Sequence, residues 1–164
     1  MSDDRGRYEF LRHDDTRVTL RFPANSGHVT AALSDVGDHL RALGHAPEVI
    51  EDGTIVLGEV LNNVEEHAYA GRSGAPITVT LDPGGAVLRY VVEDRGRHYP
   101  EGRLPTAEMP ASHGTALEAL PEGGFGWPLV RELTSEVAYT RDGDTNRLVF
   151  CLPTHPAKRG GRQS

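Results

Sequence analysis

Apolar residues recur at intervals of three and four in two segments of the chain, a spacing typical of helices that bury one face. The first segment covers residues 25–44, with Asn25 or Ser26 as its cap, and the second covers residues 47–71. Their apolar positions are Val29, Leu33, Val36, Leu40 and Leu43, and then Ile50, Leu57, Leu61, Val64 and Ala68. A third, shorter helix is predicted at residues 128–134, because proline is favoured in the first turn of a helix.

Apolar and polar residues alternate in five short segments, which predicts strands. They are residues 18–22, 77–81, 86–93, 137–139 and 147–152, and turns rich in Asp, Pro and Gly join the last four into two hairpins. Helices that alternate with strands paired through hairpins favour an α+β fold. We therefore expect a two-layer sandwich, in which a mixed, mainly antiparallel sheet carries its helices on one face.

A chain of 164 residues suits a single domain. Residues 1–16 are polar and are predicted to form a flexible lead-in, residues 17–153 the folded domain, and residues 154–164 a disordered tail rich in Pro, Gly and basic side chains. Within the domain, residues 95–124 form a long loop rich in proline and glycine. Ordered domains rarely contain a loop of that length unless it is functional.

Charge and composition argue against several classes of function. The formal net charge of −7 gives no basic surface for a phosphate backbone, so no nucleic-acid partner is expected. No segment approaches the roughly 20 apolar residues that span a bilayer, and no signal peptide is evident, so no membrane partner is expected either. The single cysteine, Cys151, stands among apolar residues and cannot form an internal disulfide. That favours a buried thiol in a cytoplasmic protein.

The second predicted helix carries a polar stripe at the edge of its apolar face. At about 100° per residue, Glu59, Asn63 and His67 lie one above the other, beside Val60 and Val64. A carboxylate in that position could act as a general base, and an amide oxygen is a hard ligand that suits Mg²⁺. The same pattern is also typical of a solvated acidic helix face with a packed histidine.

Two further motifs combine glycine with polar chemistry. Asp94 and Gly96 follow a predicted strand, where the carboxylate can accept a hydrogen bond while the backbone turns under a ligand, although Asp-x-Gly is also ordinary turn chemistry. Gly124 and Gly126 lead into the third helix, where backbone N–H groups can converge on a phosphate. A flexible loop would have the same composition.

The order and spacing of these motifs resemble the GHKL ATPase superfamily. Glu-x-x-x-Asn-x-x-x-His on a helix precedes Asp-x-Gly after a strand, and a glycine-rich loop then opens a helix before the last hairpin. Within the superfamily, the chain looks like the anti-sigma-factor serine kinases, which are small stand-alone histidine-kinase-like ATPases. The likeness extends over residues 18–152 and includes the segment at residues 20–24.

The resemblance implies an ATP-dependent protein serine kinase that acts as an anti-sigma factor. It implies ATP and Mg²⁺ as cofactors, with Glu59 in the place of the catalytic base and Asn63 in the place of the amide that binds the metal. The γ-phosphate would pass to a serine of an antagonist protein, and the kinase would sequester a sigma factor. Such kinases often pair, so a homodimer is expected.

The resemblance also assigns the nucleotide contacts. Asp94 would accept a hydrogen bond from the adenine amino group, Gly96 would give the base room, and Thr145 would correspond to a threonine near the adenine. Residues 97–123 would form a mobile lid. The residues that would shape the phosphate loop are Gly124, Phe125 and Gly126.

Two positions depart from the pattern of the family. His98 stands where a second glycine is often found, and Pro128, at the start of the phosphate-side helix, has no N–H to offer. The second departure favours an alternative, a non-catalytic binding module that sequesters a partner protein, with nucleotide structural or absent.

Overall fold

The computed structural model describes residues 7–69, 75–99 and 126–155. They form a six-stranded antiparallel sheet with the strand order β1-β2-β3-β4-β6-β5, together with three helices. The strands are β1 (Glu9–Arg12), β2 (Val18–Pro23), β3 (Pro76–Asp82), β4 (Val87–Asp94), β5 (Glu136–Asp142) and β6 (Thr145–Pro153). The helices are α1 (Ser26–Ala42), α2 (Pro47–Asn63) and α3 (Gly126–Leu133), and a π-helical turn, Val64–Ala68, continues α2. Of these helices, none is both long and apolar enough to cross a bilayer.

The core lies between the helices and one face of the sheet. Strand register aligns Leu20, Val79, Val92 and Leu148 in one row across β2, β3, β4 and β6. All four side chains are buried in one cluster with apolar side chains of α1 and α2. Each such side chain contributes about 1.5–3 kcal/mol on burial, so this row holds the two layers together. The arrangement confirms the predicted α+β sandwich with helices against one face, and every strand pairing described is antiparallel.

Local signals in the sequence account for both ends of α1. The side chain of Asn25 accepts a hydrogen bond from the backbone N–H of His28 at 2.8 Å, which satisfies one of the free donors of the first turn. After α1, Gly44 has a φ of 83°, a conformation that favours glycine. Asn25 is therefore the cap among the two predicted candidates.

The end of α2 differs from its prediction as one regular helix. At Asn63 the α-helix gives way to the π-helical turn, whose last hydrogen bond joins Tyr69 N–H to Val64 O. The Tyr69 hydroxyl donates to Pro76 O and accepts from Arg95 N–H, both at 2.8 Å. These contacts hold the chain against the ends of β3 and β4, a constraint that apolar spacing along the helix does not reveal. The predicted end at residue 71 lies outside the described residues.

The prediction of a flexible lead-in through residue 16 is wrong, because Glu9–Arg12 form β1 and pair with β2. Just before β1, the Tyr8 hydroxyl donates to Asp35 of α1 at 2.5 Å, and its ring stacks on Phe22 at 5.8 Å between centroids. A four-residue strand gives too short an alternation to be recognised in the sequence. Most of the predicted C-terminal tail lies outside the described residues, and Cys151 is buried, as expected.

Gly53 of α2 lies directly over the hydroxyl of Tyr90, and a Cβ there would approach that oxygen to 2.6 Å. Tyr90 is fully buried and stacks on Phe150 at 4.6 Å, so its ring cannot move aside. We expect Gly53→Ala to lower the free energy of unfolding by about 1–3 kcal/mol, the usual cost of overpacking, as measured by urea denaturation.

Gly58→Ala is the matched control on the same helix. Its Cβ would meet only Leu33, at an ordinary 3.6 Å, so the higher helix propensity of alanine should leave stability unchanged or raise it by up to about 1 kcal/mol. Tyr90→Phe should restore most of the stability lost in Gly53→Ala, because it removes the oxygen that clashes. Equal destabilisation by both glycine substitutions would contradict this explanation.

Candidate functional site

A cavity of about 430 Å³ opens where the end of α2 meets the end of β4, the start of β6 and the start of α3. Its lining combines polar groups with aromatic rings. The lining residues are Asn63, Val64, His67, Ala68, Asp94, Arg97, His98, Tyr99, Trp127 and Asn146. The fold therefore brings together Asn63 and Asp94, two predicted site residues that are far apart along the chain.

Asp94 is the buried carboxylate of this cavity, with 7% of its surface exposed. Its Oδ1 accepts hydrogen bonds from the Gly96 backbone N–H and from Asn146 Nδ2, each at 2.8 Å. Burial raises the pKa of Asp94 above its ordinary value, and these two hydrogen bonds oppose that rise. Because both bonds end on Oδ1, Oδ2 remains the oxygen that can accept from a ligand.

Asn146 is the residue that orients Asp94, and the sequence analysis missed it. Its Nδ2 also donates to the backbone oxygens of Gly96 and Arg97 at 3.1 Å, and its Oδ1 accepts from Tyr139 and Arg141 at 2.6 and 2.8 Å. A signal was present, since Asn146 shares the alternation phase of Leu148, Phe150 and Leu152 on β6. A polar residue at a core-facing strand position needs partners, and that requirement marks it as part of a buried network.

Gly96 permits a close approach between the segment after β4 and the π-helical turn. A Cβ on Gly96 would collide with the backbone of Ala68 and would lie 2.6 Å from the Ala68 Cβ. The neighbouring Arg97 N–H donates to Ala68 O at 2.7 Å. The space beside the Gly96 Cα is therefore occupied by the backbone of Ala68, which closes one side of the cavity.

Glu59 and Asn63 stand one turn apart on α2, and both are half-buried. Asn63 Nδ2 donates to Glu59 O at 3.2 Å, which orients the amide, and no hydrogen bond to Oδ1 is formed within the described residues. The Glu59 carboxylate lies against Gly126, so closely that any Cβ at Gly126 would overlap it. That places a negative charge at the N-terminus of α3, where the helix dipole favours it.

The remaining candidates are placed differently. Thr145 does not line the cavity that holds Asn63. Instead it donates to Asp144 at 3.2 Å and lines a second cavity, of about 520 Å³, together with Arg21 and Thr78. Asp94 borders both cavities. Gly124 and Phe125 lie outside the described residues.

No group of three or more His, Cys, Asp or Glu side chains is placed to hold a metal ion within residues 7–69, 75–99 and 126–155. An amide oxygen such as Asn63 Oδ1, which belongs to a residue of the cavity lining, is a hard ligand of the kind that Mg²⁺ accepts. A single protein oxygen suits Mg²⁺ that is bound chiefly through phosphates and water.

Comparison with known proteins identifies the family of the chain. The family model described as histidine kinase-like ATPase domain matches residues 22–152. The chain is 24% identical over 120 residues to the serine-protein kinase RsbW of Oceanobacillus iheyensis, covering 73% of this chain and 76% of that protein. It is 22% identical over 148 residues to RsbW of Staphylococcus epidermidis, covering 89% and 93% of the two chains.

Solved structures show the same fold. The RsbU and RsbW domains of a Mycobacterium tuberculosis protein match with a TM-score of 0.57 at 18% identity, over 82% of this chain and 32% of that longer chain. The histidine kinase domain of a blue-light activated kinase from Erythrobacter litoralis matches with a TM-score of 0.50 at 20% identity, over 81% and 62% of the two chains. With the family model spanning most of the sequence, the chain belongs to the histidine kinase-like ATPase domain family.

Proposed function

We propose that this protein is an ATP-dependent protein serine kinase of the anti-sigma-factor type. The observation that carries the proposal is the cavity that joins Asn63 of α2 to Asp94 of β4, next to the start of α3. The relatives named serine-protein kinase RsbW support the choice of a serine as acceptor.

Asp94 is suited to recognise an adenine base. The exocyclic amino group of adenine is a hydrogen-bond donor, and Oδ2 of the buried carboxylate is an acceptor held in a fixed direction by the two bonds to Oδ1. A donor in the ligand also compensates the desolvated charge of Asp94. The volume of the cavity, about 430 Å³, lies within the range of small-ligand sites.

Asn63 and Glu59 extend the proposed site towards α3. Asn63 Oδ1 would hold Mg²⁺, and its amide is already oriented by the bond from Nδ2 to Glu59 O. When bound, Mg·ATP supplies the phosphoryl group and the positive charge that neutralises the phosphates. Glu59 would then accept or direct the proton of the attacking serine hydroxyl.

The proposed partners are a sigma factor and an antagonist protein that carries the serine, and the proposed assembly is a homodimer. Phosphorylation adds a charge of about −1.5 to −2 to the serine, enough to weaken an interface with a protein of net charge −7. This gives the kinase a physical means to release its antagonist after phosphorylation.

A non-catalytic binding module is the second candidate. Pro128 is the observation in its favour, because it stands within the first turn of α3 and removes one N–H from the helix end that would face the phosphates of a bound nucleotide. The two functions differ in whether a serine is ever phosphorylated.

Mg·ATP should stabilise the protein in a manner that depends on Asn63. At 100 times the dissociation constant the ligand adds about 2.7 kcal/mol, which raises Tm on the order of 5 °C for a domain of this size. In Asn63→Ala we expect this magnesium-dependent shift to shrink, measured against the unliganded Tm of the same variant. The exposed neighbour Asn62 provides the control, since Asn62→Ala should keep the full shift. A wild type with no shift at millimolar Mg·ATP would refute nucleotide binding.

Glu59→Gln should separate binding from phosphoryl transfer. Because the general base is lost, transfer of the γ-phosphate to an antagonist serine should fall by about 10²-fold or more. ATP affinity, measured by calorimetry, should change by less than about twofold. Glu66→Gln, at an exposed position seven residues away, should retain full transfer. If the wild type labels no partner serine, the binding module is the correct function.

Asp94→Asn should weaken binding of ATP by about tenfold or more, because its amide can present a donor to the adenine amino group. The folded-state pKa of Asp94 lies above the ordinary value of 3.8. The free energy of unfolding of the wild type should therefore fall relative to that of Asp94→Asn as the pH rises from below 3.8 through the raised pKa. Calorimetry measures the affinity for ATP, and urea denaturation at several pH values measures the free energy of unfolding. Asp142→Asn, at an exposed position, serves as the control in both measurements. Unchanged affinity in Asp94→Asn would contradict the role assigned to the carboxylate.

A further inference from the structure

Trp127 presents a buried hydrogen-bond donor that has no partner among the residues the structure describes. Its side chain lines the cavity, only 5% of its surface is exposed, and its Nε1 has no hydrogen-bond partner in the described structure. Two other buried side-chain atoms in the described residues share this condition, His39 Nδ1 and Tyr90 Oη, and neither residue lines the cavity. A buried N–H without a partner is unfavourable, so its position calls for an acceptor.

Packing explains the presence of a ring at this position but not of an indole nitrogen. Trp127 contacts Tyr99 edge-to-face, with 5.9 Å between ring centroids, and Tyr99 contacts Tyr139 in the same way at 4.9 Å. A phenylalanine would fill such an edge-to-face stack without burying a donor.

The position of Trp127 in α3 indicates what the acceptor is. Trp127 and Pro128 are the second and third residues of the helix, whose N-terminus carries the positive end of the helix dipole. Pro128 removes one of the backbone donors that a helix N-terminus normally offers to an anion. The indole N–H is a donor in the adjacent residue, and the base end of the cavity lies elsewhere, at Asp94 and Asn146.

We infer that the Trp127 indole N–H donates to a phosphate oxygen of the bound nucleotide and replaces the donor that Pro128 lacks. This inference rests on the proposed ATP site and adds a residue that sets affinity for the phosphates. It also removes the main argument for the binding module, since the loss of the Pro128 N–H is then compensated by the preceding side chain.

The test compares ADP with adenosine on the full chain, using Trp127→Phe, which keeps an aromatic ring and loses the donor. Calorimetry should show about tenfold or greater loss of ADP affinity, the expected effect of one hydrogen bond to a charged group, and no more than about twofold change for adenosine. Adenosine is the matched control because it lacks phosphates. Equal loss for both ligands, or no loss for either, would overturn the inference.

A second measurement needs no substitution. Trp127 is the sole tryptophan of the chain, so the protein has one indole N–H resonance in a ¹H–¹⁵N spectrum. ADP should move that proton resonance downfield, as a hydrogen bond to a phosphate oxygen does, and adenosine should not. A resonance that adenosine moves as far as ADP would place the donor on the nucleoside and overturn the inference. If the wild type binds neither Mg·ATP nor ADP, the proposed function itself fails, whereas tight binding with an unperturbed indole refutes only the role of Trp127.

Discussion

The geometry of the site depends on one buried carboxylate and the amide that holds it. A charge taken out of water is tolerated only where donors meet it, and Asp94 meets two, the Gly96 N–H and Asn146 Nδ2. Asn146 is fixed in turn by Tyr139 and Arg141 of the neighbouring strand. Three strands, β4, β5 and β6, and the segment after β4 therefore fix the position of one atom, Asp94 Oδ1.

This network is a continuation of the core. Asp94 and Asn146 occupy the register position two residues beyond Val92 and Leu148, so they stand on the same face of the sheet as the apolar row. The π-helical turn and Gly96 then close the cavity from the side of α2, through the contact between Arg97 N–H and Ala68 O. A site built in this way is as rigid as the packing beneath it.

The sequence predicted the elements whose signals are local. Spacing of apolar residues located α1 and α2, alternation located β2, β3 and β4, and the motif order indicated Glu59, Asn63 and Asp94 as candidates. It failed where structure depends on partners far along the chain. The strand β1 is defined by its pairing with β2, and the π-helical turn by the contacts of Tyr69 with Pro76 and Arg95. The role of Asn146 becomes evident only when β6 lies beside β4 and pairs Asn146 with Asp94. Its neighbour Thr145, which the motif comparison had selected, lines the other cavity.

The bond between Asp94 and Asn146 spans 52 positions of the chain, and this has a consequence for the order of folding. Contacts of large sequence separation form slowly, because the intervening loop must close before they become favourable. On a ribosome, which releases the N-terminal segment first, α1, α2 and the β3–β4 hairpin can assemble while β6 has yet to be made. Until β6 is added, the carboxylate of Asp94 lacks its amide partner, so the network around Asp94 is completed only after β6 has been made.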